Sequence, residues 1–196
     1  GGNIKDLAER GGDFAGDVQE LEARYRQGIQ RIPLALHKCE VPIIAAVNGA
    51  AVGIGITMIL PFDIIMASER AKFGMFFIKM GLVPELASSH FLVQRMGFGR
   101  ASEACLSGRL IEAKEALNSG LIDFMTVEHD LISEALIKAK LISENPSPQL
   151  RMVKQLLSQN GSEIDLDLVQ DRESKLLREC WKTPEHKEAV KKFLNN

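Results

Sequence analysis

A continuous apolar run that leads directly into a glycine-rich stretch is the feature that most constrains the fold of this chain. The run covers residues 42–47 and ends at Asn48-Gly49, and Gly53 and Gly55 follow shortly after it. An apolar run of this length, closed by a turn signal, predicts a strand that is buried on both faces. The sequence therefore predicts a buried strand, a glycine-rich turn and a short helix that continues towards Leu60.

Similar patterns predict an α/β first half and a mostly helical second half. Further short apolar runs predict strands at residues 63–67, 72–75 and 121–127. Apolar residues spaced by three and four positions predict helices at residues 17–38, 89–96, 100–106, 112–118, 131–143, 148–159 and 166–181. We expect Pro33 to kink or divide the first of these helices. The sequence Thr183-Pro184-Glu185 predicts the start of a last helix, because Thr can cap it and Pro suits its first position.

Composition and charge exclude several classes of function. Apolar residues make up 45% of the chain, and the formal net charge is -2 without a long basic run, so we expect no nucleic-acid partner. No apolar run approaches the ~20 residues of a membrane-spanning helix, so we expect no membrane partner. The expected location is the cytoplasm, unless an organellar targeting segment precedes Gly1.

The cysteines and histidines do not predict a metal or disulfide site. Cys39, Cys105 and Cys180 are far apart and form no CxxC pair, so we expect free thiols. The four histidines lie at no spacing typical of metal ligands, so no metal is expected.

The glycine-rich stretch could bind a ligand or simply connect a strand to a helix. Small residues let the backbone approach a ligand closely, and a helix that begins after the turn presents free N–H groups to a phosphate or an oxyanion. Composition alone does not separate these two interpretations. The spacing matches neither GxGxxG nor the lysine-bearing P-loop, which disfavours nucleotide binding of those kinds.

Several motifs in order make the chain similar to the crotonase superfamily, which includes enoyl-CoA hydratases and isomerases. They are VPIIAAVNGAAVG at residues 41–53, FDIIMASERAKFG at 62–74, GLVP at 81–84, SGR at 107–109, AKEA at 113–116 and GLI at 120–122. The resemblance implies the ClpP-like crotonase fold, an α/β spiral of ββα units followed by a helical C-terminal trimerisation region. The family's strand-rich segment before the first oxyanion loop is missing, so the resemblance implies an N-terminally truncated core at residues 1–128 and a helical region at 129–196.

The same resemblance implies an enzyme that stabilises a thioester enolate in an oxyanion hole. Its substrate would be an acyl-coenzyme A, with no separate cofactor. The backbone N–H groups of Gly2 and Ile54 take the positions of the two donors, and Gly53 lies beside the second in the substrate pocket. Lys5 could contact a coenzyme A phosphate, although the sequence favours a solvated side chain. Phe193 takes a family position that contacts the adenine from a neighbouring subunit, and an apolar helix contact explains it equally. The resemblance also implies a homotrimer or hexamer.

The expected catalytic base departs from the hydratase pattern. The positions of the two hydratase glutamates hold Thr57 and Phe77, and neither side chain is a carboxylate. Glu85, after the GLVP motif, resembles the glutamate that moves a proton between C2 and C4 in the peroxisomal type of Δ3,Δ2-enoyl-CoA isomerase. We therefore predict that Glu85 is catalytic, that it faces the same cavity as the Ile54 amide, and that Thr57, Phe77 and His90 line the substrate pocket. An enoyl-CoA hydratase of fatty-acid β-oxidation with atypical site residues, or a non-catalytic acyl-CoA-binding relative, remains an alternative.

Overall fold

The computed structural model describes residues 4–195, which form two compact units. The first unit comprises the described residues up to Lys38 together with Ile44–Ile132. The second comprises Cys39–Ile43 and the chain from Ser133 onward. The predicted boundary between residues 128 and 129 stays a prediction.

The strands of the first unit form two three-stranded sheets. One sheet is parallel, in the order β1 (Ile44–Val47), β3 (Ile64–Ser68) and β6 (Phe124–Thr126). The other has the order β2 (Ala50–Val52), β4 (Lys72–Gly74) and β5 (Leu110–Glu112), with β5 antiparallel to β4.

The first four strands alternate between the two sheets, and helical structure follows each of these two pairs. Strands β1 and β2 lead to α4 (Ile54–Thr57), and β3 and β4 lead to a 3-10 turn at Ile78–Met80 and then to α5 (Ser88–Met96). Helices α6 (Phe98–Ser107) and α7 (Ala113–Ser119) flank β5. This is the ββα arrangement that the sequence resemblance implies.

The core of the first unit lies around the strands and α5. Strand β3 is buried over its last four residues, as expected of a strand covered on both faces. Its Ile65 packs in one cluster with Phe73, Met75, Leu92 and Ile111. Strands β1 and β3 are paired side by side in this core. Their pairing fixes the positions from which the chain continues to α4 in one case and to Glu85 and α5 in the other.

Two predictions about element boundaries were wrong. Pro33 does not divide a helix but lies within the first turn of α3 (Arg31–His37), where its missing N–H would have had no helical partner. The break after α2 (Val18–Gln27) falls instead at Gly28, whose φ of -104° and ψ of -104° end the helix. Residues 50–52, expected to be part of a turn, form β2, because Ala50 and Val52 pair with β4.

The second unit is helical. It contains most of α8 (Leu131–Ser143), and also α9 (Ser147–Asn160), α10 (Leu166–Lys182) and α11 (Pro184–Leu194). The buried Lys154 of α9 donates a hydrogen bond to the Val41 carbonyl at 2.7 Å and so holds the segment that precedes β1. The Thr183 hydroxyl accepts a hydrogen bond from the His186 N–H, which confirms the predicted cap of α11.

The helices of the second unit leave large apolar side chains exposed. Leu166, Leu177 and Trp181 of α10 are each more than half exposed. The trimeric or hexameric assembly that the resemblance implies stays a prediction. Within residues 4–195, none of the helices combines the length and the hydropathy that crossing a membrane requires.

Arg95 of α5 connects three separate parts of the first unit. Its Nε donates a hydrogen bond to the Leu60 carbonyl at 3.0 Å, and its Nη2 donates to the Phe62 carbonyl. Its Nη1 lies 3.2 Å from Oδ2 of Asp123, which also accepts a hydrogen bond from the Ile65 N–H at 2.7 Å. The guanidinium therefore ties α5 to the loop after α4 and, through Asp123, to the start of β3.

We expect Arg95→Met to lower the free energy of unfolding by about 2–3 kcal/mol, because it removes the side-chain donor to two carbonyls and the ion pair with Asp123. The matched control is Arg70→Met, which removes an exposed ion pair with Glu128 and should cost at most ~1 kcal/mol. Urea unfolding of both variants measures the difference. Equal losses for the two variants would contradict this role of Arg95.

Candidate active site

The turn between β2 and α4 depends on the backbone of Gly53. Its φ of 54° and ψ of -124° lie in a region that glycine adopts readily and other residues avoid. Its N–H donates to the Gly74 carbonyl at 3.0 Å, and its carbonyl accepts from the amides of Ile56 and Thr57. A Cβ at this position would meet nothing within 4 Å, so the backbone conformation, rather than space, requires glycine.

This turn leaves two amide groups available at the start of α4. Within the described part of the chain, the N–H groups of Ile54 and Gly55 donate to no acceptor. First-turn amides have no helical partner, and such donors can stabilise negative charge on a thioester oxygen. Ile54 thus has the free N–H that its predicted role needs. The other predicted donor, Gly2, lies outside the described residues.

Glu85 carries a carboxyl group without a partner. It lies between the 3-10 turn and α5 and is partly buried. Its carboxyl makes no hydrogen bond or ion pair with any residue in the range 4–195. Burial, which disfavours the charged form, raises the pKa of Glu85 above its ordinary value of 4.5. An unpaired carboxyl of raised proton affinity suits a group that takes and returns a proton.

The chain after Glu85 forms a strained turn. The Ser88 N–H donates to the Glu85 carbonyl at 3.0 Å, and both Leu86 and Ala87, between them, have a φ of 56°. Turns with two such residues normally contain Gly or Asn, and a non-glycine residue in this region costs about 1–3 kcal/mol. The Leu86 side chain is only 3% exposed. Burial of a leucine side chain contributes about 1.5–3 kcal/mol of stability, which offsets part of the cost of the turn.

The predicted pocket residues lie in different surroundings. Thr57 is fully buried, and its hydroxyl has no hydrogen-bond partner among residues 4–195. Phe77 is a buried member of the core cluster. His90 is exposed on α5, with its ring edge-on to Phe91 at a centroid distance of 5.2 Å. The predicted shared cavity of Glu85 and the Ile54 amide, with Phe77 beside it, stays a prediction.

The two predicted coenzyme A contacts lie on exposed parts of their helices. Lys5 is exposed on α1 (Ile4–Glu9), in the first unit, and Phe193 is 83% exposed on α11, in the second. Their roles stay predictions. The search of residues 4–195 for metal sites gives no group of three His, Cys, Asp or Glu side chains placed to hold an ion.

Sequence reasoning did not single out the hydroxyl of Ser88. Like Thr57, this residue is fully buried, and its Oγ has no hydrogen-bond partner in the part of the chain that the structure describes. A signal was present in the sequence, because a polar residue closely follows the predicted catalytic glutamate. Its burial depends on contacts that the sequence alone does not reveal.

The chain is similar to enoyl-CoA hydratases and isomerases in sequence and in structure. Residues 6–196 match the family model described as enoyl-CoA hydratase/isomerase. An enoyl-CoA hydratase from Alternaria alternata is 32% identical over 193 residues, which cover 91% of this chain and 60% of that protein. Enoyl-CoA delta isomerase 2 from Rattus norvegicus is 34% identical over 153 residues, which cover 78% of this chain and 39% of that protein.

The fold agrees with that of a solved structure. An enoyl-CoA hydratase/isomerase from Cupriavidus metallidurans CH34 matches with a TM-score of 0.90 and 27% identity, over 99% of this chain and 71% of the other. The chain spans only 60% and 39% of the two curated relatives named above. The family match nevertheless extends over nearly all of its residues and agrees with the ββα arrangement of the strands. The chain belongs to the enoyl-CoA hydratase/isomerase family.

Proposed function

We propose that the protein isomerises the double bond of 3-enoyl-CoA thioesters to the 2-position, with Glu85 as its single acid/base. The observation that carries this proposal is the partly buried carboxyl of Glu85, which has a raised pKa and no partner in the described structure. The positions of the two hydratase glutamates hold Thr57 and Phe77 instead. Double-bond isomerisation needs only one carboxylate, whereas the hydratases that the chain resembles use two.

The proposed reaction moves one proton and forms no covalent bond to the protein. The Glu85 carboxylate takes a proton from C2 of the 3-enoyl thioester, and the electron pair of that C–H bond delocalises into a dienolate. The Ile54 N–H stabilises the negative charge that develops on the thioester oxygen. The Glu85 carboxylic acid then returns the proton to C4, which yields the 2-enoyl thioester and restores the carboxylate.

Hydration is the second candidate, because most of the relatives similar in sequence are named enoyl-CoA hydratases. Incubation of the full-length protein with 3-enoyl-CoA and with 2-enoyl-CoA separates the possibilities. Isomerisation yields a shifted double bond, and hydration yields a 3-hydroxyacyl thioester. Binding without turnover would indicate an acyl-CoA-binding relative and would contradict the proposal.

We expect Glu85→Gln to lower kcat for isomerisation at least ~100-fold, because the amide keeps the shape of the side chain but cannot accept the proton. Binding of the acyl-CoA should persist. The control is Glu69→Gln, which alters an exposed carboxyl of the first unit and should leave turnover unchanged. Steady-state kinetics of both variants decide the matter, and a Glu85→Gln enzyme with unchanged kcat would place the base elsewhere.

The oxyanion role of Ile54 can be tested by removing its N–H. Ile54→Pro should keep the fold, because the N–H has no partner among the described residues and the first position of a helix accepts proline. Turnover should fall by about 10²–10³-fold, as for the loss of one oxyanion donor. Ile54→Ala is the matched control, since it retains the N–H. If the proline and alanine variants have equal kcat, the amide is not a donor.

We expect kcat/KM to fall on the acid side at a higher pH than an exposed glutamate would give. Glu85 acts as a carboxylate, and burial raises its pKa above 4.5, so protonation removes the base already above that pH. A pH profile of kcat/KM measures this acidic limb. A limb at or below 4.5 would contradict the assignment of Glu85.

The same pKa predicts how stability depends on pH. Because the folded-state pKa of Glu85 is raised, its contribution is most favourable below the unfolded-state pKa and is lost as the pH rises through the folded-state value. Glu85→Gln has no carboxyl to titrate at this position. Its melting temperature relative to that of the wild type should therefore increase as the pH rises through the folded-state pKa of Glu85. Thermal unfolding at a series of pH values provides the comparison.

A further inference from the structure

The hydroxyl of Ser88 is an unused hydrogen-bonding group in a buried position. The residue is 0% exposed, and Oγ has no partner in the described structure. Ser68 is equally buried, but its hydroxyl donates to the Asn48 carbonyl at 3.1 Å and accepts from the Arg70 N–H. Buried polar side chains are generally paired, so the orphaned hydroxyl of Ser88 requires an explanation.

Ser88 and Glu85 are held close together by one short turn. The hydrogen bond from the Ser88 N–H to the Glu85 carbonyl closes a four-residue turn, in which the first and last Cα atoms lie within about 7 Å. The left-handed backbone of Leu86 and Ala87 sets the path of this turn. The turn therefore places a carboxyl-bearing and a hydroxyl-bearing residue three positions apart, and both side chains lack a partner in the described structure.

We propose that Ser88 is a positioning residue for Glu85, whose hydroxyl donates a hydrogen bond to the carboxylate when that group is ionised. The two side chains are not bonded in the present structure, so one or both must rotate. A serine O–H is free to rotate, and an ionised carboxylate offers about four acceptor sites. A hydrogen bond to a charged group is strong in partly buried surroundings, so it would hold the carboxylate in one orientation before it takes the proton from C2.

The charged groups on the adjoining elements do not stabilise the ionised form of Glu85 by pairing with it. Desolvation is the cause of its shifted pKa. Lys79, on the preceding 3-10 turn, has its ammonium 5.5 Å from the centroid of the Phe76 ring. His90 of α5 contacts Phe91. Neither forms an ion pair with Glu85 in the described part of the chain, which leaves Ser88 as the group that the turn itself supplies.

The inference rests on Glu85 as the proposed base, but its test does not require turnover. A carbon-13 NMR titration of the glutamate carboxyls in the full-length protein gives the pKa of Glu85, whose signal is identified by its absence in Glu85→Gln. Ser88→Ala should raise this pKa by about one unit, because it removes a hydrogen bond to the charged form. Ser89→Ala is the matched control, since it removes an exposed hydroxyl from the adjacent position and should leave the pKa unchanged.

Kinetics provide a second readout. The acidic limb of the kcat/KM profile should move to higher pH in Ser88→Ala by the same amount as the NMR pKa, and Ser88→Thr, which restores a hydroxyl, should move it back. Ser88→Gly replaces Ser88→Ala if the alanine variant does not fold.

A pKa of Glu85 that is the same in the wild type and in the folded Ser88 variant would overturn the inference, whatever the turnover. If the pKa shifts but no protein isomerises 3-enoyl-CoA, the positioning role stands and the proposed function fails.

Discussion

The guanidinium of Arg95 is the constraint on which the arrangement of the candidate site depends. It binds the carbonyls of Leu60 and Phe62, which follow α4, and the carboxylate of Asp123, which in turn binds the backbone of β3. Helix α4 begins with the free amide of Ile54, and α5, which carries Arg95, begins just after Glu85. The Arg95 side chain thus fixes α5, which follows the proposed base Glu85, to the loop after α4, the helix that begins with the proposed oxyanion donor Ile54.

Unfavourable features of the first unit lie close to this site. Leu86 and Ala87 adopt a backbone conformation that costs free energy. Within residues 4–195, Glu85 is partly buried without a counter-charge, and the hydroxyls of Thr57 and Ser88 are buried without partners. Strain and desolvation of this kind persist only when the surrounding structure stabilises them. Here the packed core around β3 and the Arg95 hydrogen bonds supply that stability. Such an arrangement is typical of a site that needs a carboxyl of altered proton affinity.

The sequence predicted those parts of the fold that have a local cause. Strand β3 follows from a continuous apolar run, and the cap of α11 follows from Thr183-Pro184-Glu185. Strands β2 and β5 were not predicted, because three-residue strands are stabilised by pairing with distant residues, such as Leu110 with Gly74. The order of motifs indicated Ile54 and Glu85. The left-handed turn at Leu86 and Ala87 was not predicted, because both residue types normally avoid that conformation and the burial of Leu86 cannot be seen in the sequence.

The central claim is that one carboxyl moves a proton from C2 to C4 of an enoyl thioester. The most direct test is to convert 3-enoyl-CoA deuterated at C2 in a single turnover and to locate the deuterium in the product by NMR. We expect a 2-enoyl thioester in which a measurable fraction of the deuterium is bound to C4. A product with only solvent hydrogen at C4, or a 3-hydroxyacyl thioester, would contradict it.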